Sequence, residues 1–156
     1  MMKTKSAYKP GFLRHQPIPH DVTEINANVT VKYLKVLIVE DNFDAAETLG
    51  AYVSALGHMV CIEHSPYKAI QRALEEAPDL CLLDINLPDM TGNELARQIR
   101  NNKGGEKIVL AAVTGFSQEE DRIKALDAGF QHIFAKPVNT TRLALLLNSL
   151  SVIRRP

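Results

Sequence analysis

The chain has 156 residues, with 18 basic and 18 acidic side chains, two cysteines and no tryptophan. That length suits one domain of ordinary size with a real core, and 46% hydrophobic with 23% charged residues is the balance of a globular protein in water. Zero net charge removes the electrostatic case for direct binding to nucleic acid or an anionic membrane, two cysteines build neither a disulfide framework nor a four-ligand zinc site, and no apolar run approaches a membrane span.

The charge is uneven. Residues 1–34 carry five basic side chains (Lys3, Lys5, Lys9, Arg14, Lys32) against two acidic ones (Asp21, Glu24), a net +3, which leaves −3 for the rest. The basic start is broken at once by Tyr8-Lys9-Pro10-Gly11, so no apolar signal segment follows it, and a cytoplasmic location is expected. Pro10, Pro17 and Pro19 stand among Lys, His, Asn and Thr with no apolar period. Residues 1–34 therefore read as a flexible tail and residues 35–156 as the folded domain.

From Lys35 the texture changes. Val36-Leu37-Ile38-Val39 is wholly apolar, as expected of a strand buried on both faces of a parallel sheet. Residues 44–56 show helical spacing, closed by Gly57. A second strand is predicted over 59–63, and a helix opens at Ser65-Pro66 and stops before Pro78. A third strand covers 80–84, a helix 91–100 and a fourth strand 108–113. Residues 117–128 form a helix whose first turn holds Glu119, Glu120 and Asp121, which suits its dipole. A fifth strand covers 132–135, and a last helix 139–153. Five strands alternating with five helices predict a doubly wound parallel sheet covered on both faces.

In such a sheet, ligands bind beyond the carboxyl ends of the strands. The first strand ends in Glu40-Asp41, the third in Asp84, the fourth in Thr114, and the fifth leads into Lys136-Pro137. Taken singly, these are ordinary caps, turn residues and surface lysines. Together they place three carboxylates, a hydroxyl and an ammonium on one edge. Gathered carboxylates repel one another and call for a divalent cation, and oxygen ligands suit magnesium. An ammonium and a hydroxyl add contacts for a phosphoryl group, and a carboxylate can itself be the nucleophile.

Four motifs then carry a resemblance: Glu40-Asp41; Asp84-Ile85-Asn86-Leu87-Pro88-Asp89-Met90-Thr91-Gly92; Val113-Thr114-Gly115; and Lys136-Pro137. Residues 35–153 resemble the receiver domain of two-component response regulators. The resemblance implies a flavodoxin-like (CheY-like) sheet of order 2-1-3-4-5 with five helices. It implies Asp84 as the phosphoacceptor, and Mg2+ held directly by Asp41, by Asp84 and by the backbone carbonyl of Asn86, with Glu40 as the acidic partner that often acts through water. It implies Thr114 as the switch hydroxyl that moves to the phosphoryl group, Lys136 as the lysine that pairs with that group, and a cis Lys136–Pro137 bond. Gly115 matches a small residue beside the phosphoryl site. The implied partners are a histidine kinase or histidine phosphotransfer protein upstream and an unidentified protein downstream, with signalling through altered protein–protein contacts. The chain matches either a single-domain regulator or the receiver part of a hybrid kinase, a phosphoacceptor rather than an enzyme.

Two departures stand out. The family's switch aromatic lies three residues before the lysine, where this chain has Ile133, while Phe134 falls on the opposite face. Asn86 and Phe116 occupy positions that tune hydrolysis in the family. Phe116 is expected to screen the attacking water, so the purified phosphoprotein should lose phosphate slowly; rapid first-order decay would count against this.

A magnesium-dependent phosphatase with an aspartyl nucleophile is one alternative, but it needs a second acidic residue at position 86. A receiver-like interaction domain independent of phosphate is another, against which the full set Asp41, Asp84, Thr114 and Lys136 argues. Cys61 and Cys81 fall on strands that flank the first, about 9–10 Å apart, outside disulfide reach, and are expected to be inert. None of the five histidines has metal-ligand spacing with another. The run Leu143–Leu147 is expected to serve packing.

Overall fold

The computed structural model describes residues 22–26, 28–115 and 118–154. In chain order these form β1 (Val22–Asn26), β2 (Val29–Lys32), β3 (Lys35–Val39), α1 (Phe43–Ala55), β4 (Met59–Glu63), α2 (Pro66–Glu76), β5 (Leu80–Asp84), α3 (Gly92–Asn101), β6 (Val109–Thr114), α4 (Glu119–Ala128), β7 (His132–Ala135), α5 (Thr140–Ser151) and β8 (Val152–Arg154). The central sheet has the order β4-β3-β5-β6-β7, and each adjacent pair is parallel. This is the expected doubly wound order, with the topological switch between β3 and β5.

Three helices, α1, α3 and α5, begin where a side chain satisfies a first-turn N–H group, whereas Ser65, the expected cap of α2, makes no such bond. Asn42, Thr91 and Asn139 accept hydrogen bonds from the backbone N–H of Ala45, Glu94 and Arg142 at 2.9, 3.2 and 2.9 Å, each filling an orphan donor. Pro66 occupies the first turn of α2, and Gly129 closes α4 at φ 108°, a left-handed angle that glycine adopts without a Cβ clash.

Two apolar layers hold the sheet. On one face Leu37, Val39, Cys81, Leu83 and Leu110 meet Leu95, Ala96 and Ile99 of α3, with Ala69 of α2 and Ala125 of α4. On the other, Val36, Ile38, Leu82 and Ala111 meet Val53 of α1 and Leu143, Leu146 and Leu147 of α5. Successive strand residues alternate between these layers, as the period of two requires. The run at 143–147 is therefore mostly core, although Leu145 remains 63% exposed. Cys61 and Cys81 both pair with Leu37 from opposite sides. Both are buried and free, and burial pushes the Cys61 thiol up to about 11 and Cys81 higher still. Neither is poised as a thiolate.

The predicted tail is corrected over its second part. β1 and β2 form an antiparallel hairpin, and β8 pairs with β2 in the register Val29↔Arg154, Thr30↔Ile153 and Val31↔Val152. The same pairing shortens the last helix, which ends at Ser151 rather than 153, because the next residues are extended against β2. Residues 1–21 lie outside the described residues, as does Ser117, the expected start of α4. Asp79 fastens this second sheet to the base of the first. One carboxylate oxygen takes the Lys32 ammonium at 2.6 Å, and the other accepts the Lys35 N–H at 2.8 Å.

His58 lies buried at the same base, and its Nδ1 accepts the Leu34 N–H at 3.2 Å. Accepting through Nδ1 requires a neutral ring protonated on Nε2. Burial pushes its pKa below the ordinary 6.5, partly offset by the charge of Asp79. A depressed histidine contributes stability that is present above the unfolded pKa and lost as pH falls through the folded one. The urea midpoint should therefore fall between pH 7.5 and 5.5, with a slope of up to ~1.4 kcal/mol per pH unit from this site. His132 is pushed down too, by burial and Arg142, and adds to the same trend. The measurement that isolates His58 is the slope of the parent against His58→Asn, which keeps an acceptor without a titration; equal slopes would refute the assignment.

Candidate functional site

Parallel strands bring their carboxyl ends to one edge, and the switch between β3 and β5 opens a crevice there. Glu40 and Asp41 follow β3, Asp84 closes β5, Thr114 closes β6, and Lys136 follows β7. The five predicted residues thus meet. Glu40, Asp84 and Thr114 are buried, at 6%, 3% and 3% exposure, while Asp41 is exposed. Buried carboxylates at such values need partners.

Those partners are present. The Lys136 ammonium donates to Glu40 Oε2 at 2.9 Å and to Asp84 Oδ2 at 3.2 Å. The second Glu40 oxygen accepts the Asn42 N–H at 3.1 Å, and Asp84 Oδ1 accepts the Asn86 N–H at 2.9 Å. The Lys136 N–H donates to the Thr114 carbonyl at 2.8 Å, and the Lys136–Pro137 bond is cis, as expected.

One ammonium pairs with two of the three clustered carboxylates, so the cluster keeps negative charge. Burial raises the Glu40 pKa, and the neighbouring Asp84 charge adds to this, against hydrogen bonds from Lys136 and Asn42. Partial burial pulls the Lys136 pKa down, but its hydrogen bonds and charge contacts with Glu40 and Asp84 outweigh it and raise the value. One oxygen each of Glu40, Asp41 and Asp84 lies within 4.8 Å of the others. Such a set of hard oxygen donors fits a divalent cation such as magnesium.

Beneath Thr114 a cavity of about 100 Å³ lies between Ile85, Ala125 and Ile133, with Asp121 and Arg122 on its α4 side. Ile133 packs toward the α3 layer. Phe134 is buried in the other layer, with the Arg142 guanidinium 5.2 Å from its ring centre. The two faces are as expected: the aliphatic side chain, not the aromatic one, borders the space under Thr114. Phe116, the expected hydrolysis-tuning residue, lies outside the described residues. A Cβ at Gly115 would meet nothing within 4 Å among the described residues.

Sequence reasoning missed two contributors. A Cβ on Gly92 would run into the Asp84 carbonyl oxygen and lie 2.7 Å from Ile85 Cα, so α3 docks on the strand that carries Asp84. The other is His64, whose Nδ1 is 2.8 Å from the Glu40 carbonyl oxygen and whose ring stacks on Phe43. Gly92 closes the motif that begins at Asp84, but its close approach to the strand end is a tertiary fact that the motif alone does not state. His64 and Phe43 stand in no motif and are 21 residues apart in sequence.

The comparisons agree with this geometry. A sequence profile for the response regulator receiver domain matches residues 36–148. An uncharacterised 14.6 kDa protein of Leptolyngbya boryana is 30% identical over 118 residues, covering 76% of this chain and 90% of that one. The polar-differentiation response regulator DivK of Brucella ovis is 29% identical over 114 residues, covering 73% and 93%. The receiver domain of a sensor histidine kinase from Pseudomonas aeruginosa superposes with a TM-score of 0.70 at 28% identity, over 76% of this chain and 97% of that one, and its crystal structure has magnesium coordinated in the active-site cleft. With the profile spanning most of the folded part, and the acidic cluster, Thr114 and Lys136 meeting at the switch point, the chain belongs to the response regulator receiver domain family.

Proposed function

We propose that this receiver takes a phosphoryl group on Asp84 in a two-component phosphorelay and signals through altered protein contacts. The observation that carries the reading is Asp84 itself: a carboxylate of 3% exposure, one oxygen on Lys136 and the other on the Asn86 N–H, grouped with two further carboxylates. A buried carboxylate so placed is oriented for attack. The donor is a phosphohistidine of a histidine kinase or phosphotransfer protein. An Asp84 oxygen forms the new P–O bond, the P–N bond breaks, and its electron pair returns to the imidazole nitrogen.

Glu40, Asp41, Asp84 and the Asn86 carbonyl hold Mg2+, which when bound supplies neutralisation of the phosphoryl oxygens. Lys136 offers its ammonium to the same oxygens, releasing its hold on Asp84, and the Thr114 hydroxyl adds a donor from β6. Movement at Thr114 reaches α4 through the cavity they share. α4 buries only Ala125 and Ala128 and leaves Ile123 and Leu126 exposed at 49% and 42%, so little buried side-chain packing opposes its shift. These two side chains offer a downstream partner an apolar contact. Among the described residues no helix is long and apolar enough to cross a membrane, and the cytoplasm, where phosphohistidine donors of such relays face, is the proposed location.

The test is to incubate the protein with a small-molecule phosphodonor and Mg2+ and measure intact mass. One phosphoryl group per chain, stable in acid and released by alkali, is expected. No adduct on the parent, or the same adduct on Asp84→Asn, would refute the reading. The decay of that adduct then tests the slow hydrolysis expected from Phe116.

A further inference from the structure

The peptide between Glu40 and Asp41 carries two of the three clustered carboxylates, and it leaves the sheet just where β3 ends. The Glu40 carboxylate is held by Lys136 and by the Asn42 N–H, while the backbone of this peptide is linked to β4 and the residue after it. The Glu40 N–H donates to the Glu63 carbonyl at 3.2 Å, which continues the β3–β4 ladder by one bond. The next link is made by a side chain: His64, the first residue past β4, places Nδ1 2.8 Å from the Glu40 carbonyl oxygen. A carbonyl only accepts, so Nδ1 carries the proton. The imidazole is in turn held by Phe43, the first residue of α1, whose ring lies 3.8 Å from it, centre to centre, at an interplanar angle of 27°. Phe43 is 65% exposed, so this stack is not explained by burial in a core. The result is a closed loop of contacts, from β4 through His64 to Glu40 and back through Phe43 to α1.

We propose that His64 is a positioning residue for the cation site. Its Nδ1–H fixes the Glu40 carbonyl, the Phe43 ring fixes the imidazole, and the Glu40–Asp41 carboxylates are thereby held in the geometry that receives Mg2+. The inference rests on the receiver reading above. A donor behind a ligand-bearing group limits the orientations that group samples, and removing such supports weakens metal binding by about 10–100-fold in known sites.

The test is a titration of the metal-free protein with Mn2+, followed by the paramagnetic resonance of free ion, together with thermal unfolding of each apo variant. His64→Ala removes the donor and is expected to weaken binding about tenfold. His64→Asn keeps an N–H donor at the reach of imidazole Nδ1 and is expected to recover most of that loss. Phe43→Ala leaves the donor but frees the ring, and should fall between the two. Apo melting temperatures should shift little and in no parallel order, because the link spans a half-exposed loop. Parent-like affinity in His64→Ala, or an Asn variant as weak as the Ala variant, would overturn the positioning role. A parent that binds no Mn2+ would instead overturn the cation site, and with it the receiver chemistry.

Discussion

Replacing Asp84 by asparagine is expected to abolish the phosphoryl adduct and at the same time to raise the stability of the metal-free protein. The first effect follows from losing the nucleophile: an amide oxygen forms no stable acyl phosphate. The second follows from the charge balance. Lys136 alone faces Glu40 and Asp84, Asp41 stands within the same cluster, and Glu40 is already pushed toward its protonated form by burial and by Asp84. Like charges held together in a buried site cost stability. The asparagine side chain keeps the acceptor for the Asn86 N–H through its carbonyl oxygen, and the Lys136 ammonium, 36% exposed, can move wholly to Glu40. A gain of about 1–2 kcal/mol is expected, in the range typical when strain at a functional site is relieved. Urea unfolding in the presence of a chelator measures it. Added Mg2+ should then narrow the gap, because the parent binds the cation with its full ligand set and gains more by linkage. An asparagine variant less stable than the parent without metal would show that the cluster is not repulsive.

How much of this was legible in the sequence depends on the range of the interaction. Strands β4, β5 and β7 stand at the predicted residues, because each is a short apolar run with turn chemistry at both ends and needs no distant partner to be recognised. The site residues were legible for a related reason: in a parallel sheet the chain itself tells which residues end the strands, and the ends share an edge. The second sheet was not legible. β8 has three residues, and its apolar Val152 and Ile153 continue the aliphatic pattern of α5, so only the pairing with Thr30 and Val31, more than a hundred residues away, makes them a strand. The reading of a polar, proline-bearing segment as tail met the same limit at residues 22–32.

Arg100 shows the limit in a different form. On the sequence it is one more charge at a helix end. In the structure its guanidinium gathers the carbonyls of Gly105, Ile108 and Gly129 at 2.6, 2.5 and 2.9 Å, joining the ends of α3 and α4 to the start of β6. No local rule assigns a cation to three carbonyls from two loops. Such contacts join helices and strands at points that no motif marks.

Gly92 is the sharpest case, and Gly92→Ala is expected to damage both the fold and the site. Its N–H donates to the Ile85 carbonyl at 2.9 Å, which draws the start of α3 onto the end of β5. An added Cβ would overlap the Asp84 carbonyl oxygen and lie 2.7 Å from Ile85 Cα and 3.0 Å from the Asp84 carbonyl carbon. These are backbone atoms, not the tip of a side chain that could rotate away, so α3 or the strand end must move. Overpacking of this kind costs about 1–3 kcal/mol. The upper part of that range is expected here, because the displaced strand end bears Asp84, the proposed phosphoacceptor, and the Asn86 N–H that its carboxylate accepts. Two other glycines serve as controls. Gly115→Ala meets nothing within 4 Å and should unfold in urea as the parent does. Gly104→Ala also has space, but its φ of 90° strains any residue with a Cβ, at ~1 kcal/mol. The order of urea midpoints should therefore be Gly115→Ala, then Gly104→Ala, then Gly92→Ala. Gly104→Ala, far from the site, should form the phosphoryl adduct as the parent does, whereas Gly92→Ala should also slow it through displacement of Asp84. A Gly92→Ala protein with parent-like stability and adduct formation would mean that α3 can retreat without moving Asp84, and that the close approach does not position the site.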